Sequence, residues 1–303
     1  MAAAEPWPSR PLRISVSFPA GSSPDLLARL VAPLLSASLG QPVVVDNKVG
    51  ASGAIGVQAV AQATDDHLVG FTSSVPITSA TLLSRVPYVV ARDLTPVSLV
   101  ATSPLVLAVD AKLDAPDLAA LVRLAREQPG ALNYGTPGVG SGGHLTMELL
   151  NVLAGMRTTH VPYQSYPQAL NAILAGQVQL AFMVPSVALQ QARAGRIRLL
   201  GVSSSKRSAL LPQVPAIADS LGGKPFNAEV WTAVVGPARM DRAHAAFLSS
   251  ALRDIVRSPG VRSQLLEQGW EAVGGSSEAL AIRVREDTRT WAGVVRTAGV
   301  KGE

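Results

Sequence analysis

Apolar runs and amphipathic stretches alternate along the first hundred residues of the chain. The apolar runs 12–18, 42–46 and 68–72 predict strands, and the amphipathic stretches 24–39 and 53–63 predict helices. Strands that alternate with helices favour a parallel, wound sheet. The first part of the chain is therefore predicted to form an α/β unit.

A long apolar segment at 97–109 follows, and Ser103 and Pro104 interrupt it. Because it is too long for one strand of one sheet, we expect it to cross from one lobe to another. The apolar run 230–235 is expected to be a strand that returns. Two crossing segments would make a hinge between two lobes.

Between these segments the alternation of strands and helices starts again. Helices are predicted at 116–127, 141–155, 166–175 and 186–194, and strands at 131–135, 158–161, 178–184 and 196–203. The tail after residue 241 is largely helical and is expected to rejoin the first lobe. The predicted fold class is α/β, with two doubly wound lobes joined by a two-segment hinge. Lobe 1 takes residues 1–103 and 228–303, and lobe 2 takes residues 104–227.

The composition supports two packed domains and excludes several functions. The chain has 303 residues, of which 48% are hydrophobic and 16% charged, as suits a buried core. Its 26 Lys and Arg residues are scattered, which argues against a nucleic-acid surface, although a modest positive field would help to collect small anions. The absence of cysteine excludes a thiol nucleophile and a disulfide and suits export. The histidine spacing indicates no metal site, and no cofactor is predicted.

The N-terminus neither has the plan of a signal peptide nor begins a membrane span. Residues 1–5 are alanine-rich and run into Pro6, Trp7 and Pro8, which is typical of a processed mature end that carries a new initiator Met. We therefore expect an exported protein whose signal peptide is absent from this sequence.

A loop rich in small residues separates the first predicted strand from the first helix. Ser23 is the predicted N-cap, Pro24 suits the first helical position, and Asp25 complements the helix dipole. Ala20 and Gly21 leave the backbone uncovered, and free amides at a helix start bind anions. Ordinary capping and anion binding both explain this loop.

A second loop, rich in glycine, follows the strand at 131–135. Gly135 and Gly140 have the spacing of a phosphate-binding loop, but the lysine that such a loop requires is missing. The glycines also fit a dinucleotide-binding motif, but the acidic residue expected about 20 positions later is absent. The nucleophile elbow of a serine hydrolase needs glycine two residues before the serine, and Val139 stands at that position before Ser141. The backbone amides and the hydroxyls of Thr136 and Ser141 remain as neutral donors for a carboxylate.

Two further side chains are candidates near these loops. His144 lies in the first turn of the following helix, where it could donate to a ligand oxygen or pack against the sheet. A hydrolase built on Ser141 and His144 is the weaker alternative function. Ser73, after the third strand, is a hydroxyl donor that could join the first loop in one site.

Short motifs occur in a set order over nearly the whole chain. They include Phe18-Pro-Ala-Gly, Gly40-Gln-Pro-Val-Val-Val-Asp-Asn47, Asn133-Tyr-Gly-Thr136, Gly140-Ser, His144-Leu, His160-Val-Pro-Tyr163 and Ala194-Gly-Arg196. In this order the chain resembles the substrate-binding proteins of tripartite tricarboxylate transporters, the Bug family. The resemblance implies a fold similar to type 2 periplasmic binding proteins, in which two lobes close on a ligand.

The same resemblance implies a function and a set of ligand-binding residues. The expected protein is no enzyme: it is a periplasmic monomer that captures a small carboxylate between the lobes and delivers it to membrane permease subunits. A sensor module that presents its ligand to a membrane kinase is the alternative. The predicted ligand-binding residues are Phe18, Ala20, Gly21, Ser22, Asp25, Ser73, Thr136, Gly138, Gly140, Ser141, His144 and Met183.

Two departures from the family pattern bear on the ligand. Ser22 stands where family members often have glycine, which adds a hydroxyl. Gln179 and Met183 stand where many members carry acids, and in amino-acid-binding members such an acid meets the ammonium group of the ligand. The sequence therefore predicts a carboxylate that lacks a cationic amine.

Overall fold

In the computed structural model, which describes residues 7–302, the chain is divided into two compact units. Unit 1 takes the chain up to Thr102 together with Trp231–Leu266 and Trp270–Arg289; unit 2 takes Ser103–Val230, Glu267–Gly269 and the chain from Thr290 onward. The mature end predicted at residues 1–5 lies outside the described residues. Within the described range, no helix is both long and apolar enough to cross a membrane.

Unit 1 contains the alternating elements predicted for the start of the chain and most of the C-terminal tail. Its strands are β1 (Leu12–Val16), β2 (Val43–Asn47), β3 (Leu68–Ser73), β4 (Leu94–Pro104), β10 (Glu229–Pro237) and β11 (Glu271–Gly275). Its helices are α1 (Ser23–Leu39), α2 (Ala54–Ala61), the short α3 (Ser74–Ile77), α4 (Ala80–Leu83) and α5 (Val90–Asp93), then α10 (Arg242–Arg257), α11 (Pro259–Glu267) and the start of α12 (Ser277–Ala298).

The sheet of unit 1 has the strand order β11-β4-β10-β3-β1-β2. Strand β1 pairs in parallel with both β2 and β3, whereas β10 runs antiparallel to β3. Val57 and Val60 of α2 pack with Trp231 and Val235 of β10 in the core on one face. The carboxyl ends of β1 and β3 therefore lie at the same edge of the sheet, where the first loop begins.

Unit 2 contains the second alternating series. Its strands are β5 (Val106–Asp110), β6 (Asn133–Thr136), β7 (Thr159–Pro162), β8 (Leu180–Met183) and β9 (Ile197–Val202), in the sheet order β7-β6-β8-β5-β9. Its helices are α6 (Leu118–Glu127), α7 (Gly142–Ala154), α8 (Tyr166–Leu174) and α9 (Pro185–Arg193). Strand β6 is parallel to β7 and β8, and β5 is antiparallel to β8 and β9.

The long apolar segment is two strands in two sheets, since β4 ends at Pro104 in one sheet and β5 begins at Val106 in the other. The predicted α/β class with two units is thus confirmed. The C-terminal end differs from the predicted division. Residues from Thr290 onward belong to unit 2, because α12, with 22 residues, continues from one unit into the other.

Candidate functional site

The loop that joins β1 to α1 in unit 1 is held by a buried carboxylate. Gly21 has φ 80°, a left-handed conformation that glycine adopts without a Cβ clash. Its N–H donates to Asp25 Oδ2 at 2.9 Å. The Gly21 amide, which was expected to face a ligand, therefore donates its hydrogen bond within the loop.

Asp25 is only 1% exposed, and its oxygens accept several internal hydrogen bonds. Arg29 Nε donates to Oδ1 at 3.0 Å, and Asn47 Nδ2 donates to the same oxygen at 2.8 Å and to the Phe18 carbonyl at 2.9 Å. Burial alone would raise the pKa of Asp25, but the hydrogen bonds from Arg29, Gly21 and Asn47 outweigh it and hold this pKa below its usual value. Asp25 is an internal acceptor that shapes the loop, and its position does not support the predicted contact with a ligand.

Ser22, not Ser23, occupies the N-cap of α1, which corrects the predicted cap. Ser22 makes no capping hydrogen bond with its side chain, and its Oγ is buried without a partner. Buried hydroxyls are normally hydrogen-bonded, because burying one unpaired costs free energy. This hydroxyl lies at the positive end of a 17-residue helix, and the described residues leave its donor unused.

The other predicted residues of unit 1 lie in the loop before α1 and at the end of β3. The ring of Phe18 is packed against Gly53, where a Cβ would lie 3.1 Å from the ring, and Ala20 is exposed. Ser73 ends β3 and lies directly opposite Thr232 of β10. Thr232 is fully buried and its Oγ1 has no partner.

Sequence reasoning missed Thr232, and it missed Ser17, whose buried Oγ is also without a partner. Ser17 directly follows β1, and in the sequence it lies near the end of the apolar run 12–18, next to the first loop, which was a signal. Thr232 gave no such signal, because it reaches this edge only through the antiparallel pairing of β10 with β3.

In unit 2, the loop between β6 and α7 is folded around its own donors and acceptors. Gly138 has φ 119° and Gly140 has φ 74°, both of which favour glycine. Ser141 is the N-cap of α7, and its side chain accepts the His144 N–H at 3.3 Å. The Gly140 N–H donates to His144 Nδ1 at 3.0 Å. Since Nδ1 accepts, the proton of the neutral ring lies on Nε2.

Thr136 links this loop to the neighbouring strand β7. Its buried Oγ1 accepts the Gly138 N–H at 3.1 Å and lies 2.6 Å from His160 Nε2. The imidazole of His160 stacks on that of His144, with ring centroids 4.0 Å apart and an angle of 13° between the planes. Sequence reasoning placed His160 in a family motif but gave it no role; the parallel pairing of Tyr134 with His160 brings it to the loop.

Both histidines of this stack are neutral at neutral pH. Burial, and then the charge of His160, lowers the pKa of His144 to about 3. Burial lowers the pKa of His160 to about 4. The adjacent Tyr134 hydroxyl donates to Glu148, and burial followed by the Glu148 charge raises the pKa of Tyr134. The second loop therefore offers neutral donors rather than a cation.

Close packing sets the direction in which α7 begins. A Cβ on Gly143 would lie 2.8 Å from the Phe182 carbonyl oxygen of β8. Met183, the last residue of β8, is fully buried in the core of unit 2 with Val106 and Val202. Met183 is a packing residue, and its position does not support the predicted ligand contact.

The arrangement of Ser141 and His144 is that of a helix cap. The Ser141 hydroxyl accepts a backbone N–H, and the described residues show no hydrogen bond between this hydroxyl and the imidazole. A nucleophilic serine needs such a bond to a base. By position in the fold, Phe18, Ala20, Gly21, Ser22 and Ser73 belong to unit 1, and Thr136, Gly138, Gly140, Ser141 and His144 belong to unit 2.

Two α/β units with polar loops at helix starts are the features of a solute-binding protein of the periplasmic type. The chain belongs to the tripartite tricarboxylate transporter receptor family, whose model, described as "Tripartite tricarboxylate transporter family receptor", matches residues 27–300. This confirms the Bug-family resemblance. BugT of Bordetella pertussis is 35% identical over 301 residues, which cover 98% of this chain and 92% of BugT.

Two solved structures with bound ligands are similar over nearly the whole chain. R. palustris Rpa4515 with adipate is 31% identical, with a TM-score of 0.85, and the match covers 98% of this chain and 100% of that one. MatC from Rhodopseudomonas palustris with bound malate is 27% identical, with a TM-score of 0.80, and the match covers 95% of this chain and 100% of MatC.

Proposed function

We propose that this protein is an extracytoplasmic solute-binding protein that captures a small carboxylate without a cationic amine. The observation that carries the proposal is the buried, unpaired hydroxyl of Ser22 at the start of α1. A carboxylate oxygen would accept from this hydroxyl and would be stabilised by the positive end of the helix. Adipate and malate, the ligands of the two similar R. palustris proteins, are dicarboxylates that carry no amine.

The electrostatics of both loops support a ligand of this kind. Asp25, the acid of the first loop, is buried and accepts hydrogen bonds from Arg29 and Asn47, so it has no free oxygen for an ammonium group. In the second loop the neutral His144 carries its proton on Nε2, which makes this atom a donor. Donors that suit an oxygen ligand are thus available, whereas the acids near the loops are already bonded.

The physiological partner and compartment belong to the same proposal. The family is described as a transporter receptor, and BugD, whose solved structure is 26% identical to this chain with a TM-score of 0.81, is described as a periplasmic binding protein. We accordingly propose that the protein acts in the periplasm as a monomer and delivers its ligand to membrane permease subunits. That a single ligand contacts both loops and closes the hinge is still a prediction. The cap geometry of Ser141 argues against the hydrolase alternative.

Calorimetric titration with adipate, malate, glutamate and aspartate tests the proposal, with Ser22→Ala as the variant. We expect the amine-free acids to bind and Ser22→Ala to weaken them about tenfold, since a hydrogen bond to a charged group is lost. The melting temperature should change little, because Ser22 Oγ makes no bond in the free protein.

Ser38→Ala is the matched control, since Ser38 is exposed in the last turns of the same helix. Binding of glutamate as tight as that of malate would refute the prediction of an amine-free ligand. Equal affinities of the Ser22→Ala and Ser38→Ala variants for the acids would refute the role of Ser22.

A further inference from the structure

Unit 2 contains a cavity of about 470 Å³ at the C-terminal end of α7, the end far from the loop between β6 and α7. Arg123 and Arg126 of α6 and Lys224 from the loop near residue 220 line it. Helix α7 has 13 residues and is about 20 Å long at 1.5 Å per residue. The cavity is therefore distinct from the loop at Ser141, where this helix begins.

The three cations converge because the end of α7 attracts two of them. Arg126 Nε donates to the Ala154 carbonyl at 2.9 Å, and Lys224 Nζ donates to the Leu153 carbonyl at 2.6 Å. These are adjacent carbonyls in the last turn of α7. Arg123 is three residues before Arg126, so the two side chains lie on the same face of α6.

The positive charge of this cavity exceeds what the fold neutralises. None of the three cations forms an ion pair with an acid in the part of the chain that the structure describes. Glu127 is the one acid among the lining residues, and the end of α7 adds roughly half a negative charge. A net positive charge remains.

Arg123 is the group left for a ligand. Its guanidinium makes no hydrogen bond to the described residues, whereas Arg126 and Lys224 already donate to α7. Guanidinium groups bind phosphate and carboxylate in a bidentate manner. The volume lies in the range of roughly 300–1,000 Å³ that small-molecule sites occupy.

We propose that this cavity is a second binding site, for a small multivalent anion such as a phosphate. Arg123 would donate two hydrogen bonds to its oxygens, while Arg126 and Lys224 would supply charge from positions held by α7. The site is independent of the carboxylate loops, since its lining residues come from α6, the end of α7 and the segment near residue 220.

Calorimetric titration of the full chain with inorganic phosphate, at constant ionic strength, tests this site. We expect saturable binding that Arg123→Gln weakens about tenfold through the loss of a charge-assisted pair. Arg193→Gln is the matched control, because Arg193 is exposed on α9 of the same unit and does not line the cavity. Ser22→Ala should leave phosphate binding unchanged.

Several results would overturn the proposal. No saturable binding of phosphate to the wild-type chain would do so, as would binding that Arg123→Gln leaves intact. A third arm uses vesicles that contain phosphatidylglycerol. If they retain the wild-type chain but not Arg123→Gln, while free phosphate does not bind, the cavity recognises a membrane headgroup and not a free anion.

Discussion

The imidazole rings of His144 and His160 lie face to face, with their centroids 4.0 Å apart, although 16 positions separate them in the chain. His144 accepts the Gly140 N–H, and His160 lies 2.6 Å from the Thr136 hydroxyl. The stack therefore connects both ends of the loop that precedes α7. The conformation of this loop depends on two neutral rings and one buried hydroxyl.

The hydroxyl of Thr136 is expected to hold the loop in its binding conformation. Thr136→Val keeps the shape of the side chain but leaves the Gly138 N–H without its acceptor, so carboxylate affinity should fall about tenfold. Calorimetric titration with malate measures the change. Thr136→Ser retains the hydroxyl and should bind nearly as well as the wild type. Equal losses in the two variants would contradict this role.

Acid should destabilise the fold through the two histidines. Their folded pKa values of about 3 and about 4 lie below the ordinary value of 6.5, so the unfolded chain binds more protons in the window between. Stability is therefore lost as the pH falls from about 6.5 towards about 3, the folded pKa of His144. Urea unfolding across this window should show a smaller loss for His160→Gln than for the wild type. An equal loss of stability with falling pH in the variant and the wild type would show that other groups cause it.

Asp25→Asn should destabilise unit 1 by about 1–3 kcal/mol, because an amide cannot accept all the hydrogen bonds that the buried carboxylate accepts. Urea unfolding at neutral pH measures the effect. The matched control is Asp254→Asn, whose side chain is 76% exposed, and it should change stability by less than about 0.5 kcal/mol. Equal effects of the two substitutions would contradict the structural role of Asp25.

Gly143→Ala should destabilise unit 2 by about 1–3 kcal/mol, because the added methyl group would meet the Phe182 carbonyl oxygen at 2.8 Å. Gly260→Ala, also in a helix, meets no atom within 4 Å and should stabilise the protein by up to about 1 kcal/mol through helix propensity. Thermal unfolding of both variants measures the difference. A stabilising Gly143→Ala would contradict the close approach of α7 to β8.

The sequence by itself determined the α/β class, the two units and the family. Hydrophobic periodicity is a local property, so helices α1, α2 and α6 to α9 and most strands could be predicted within a few residues, whereas the four-residue helices α3, α4 and α5 were not predicted. The break near Pro104 was visible because one strand cannot hold so long an apolar run. The polar loops were visible because glycine and serine cluster where a strand gives way to a helix.

Only the tertiary structure decided which side chains these loops present. Asp25 is an internal acceptor because Asn47, 22 positions later, is brought beside it by the pairing of β1 with β2. Met183 is a core residue because β8 is an interior strand of its sheet. His160 reaches the second loop through the register of β6 with β7. Strand order and register arise from contacts between distant segments, so a local pattern of residue types does not determine them.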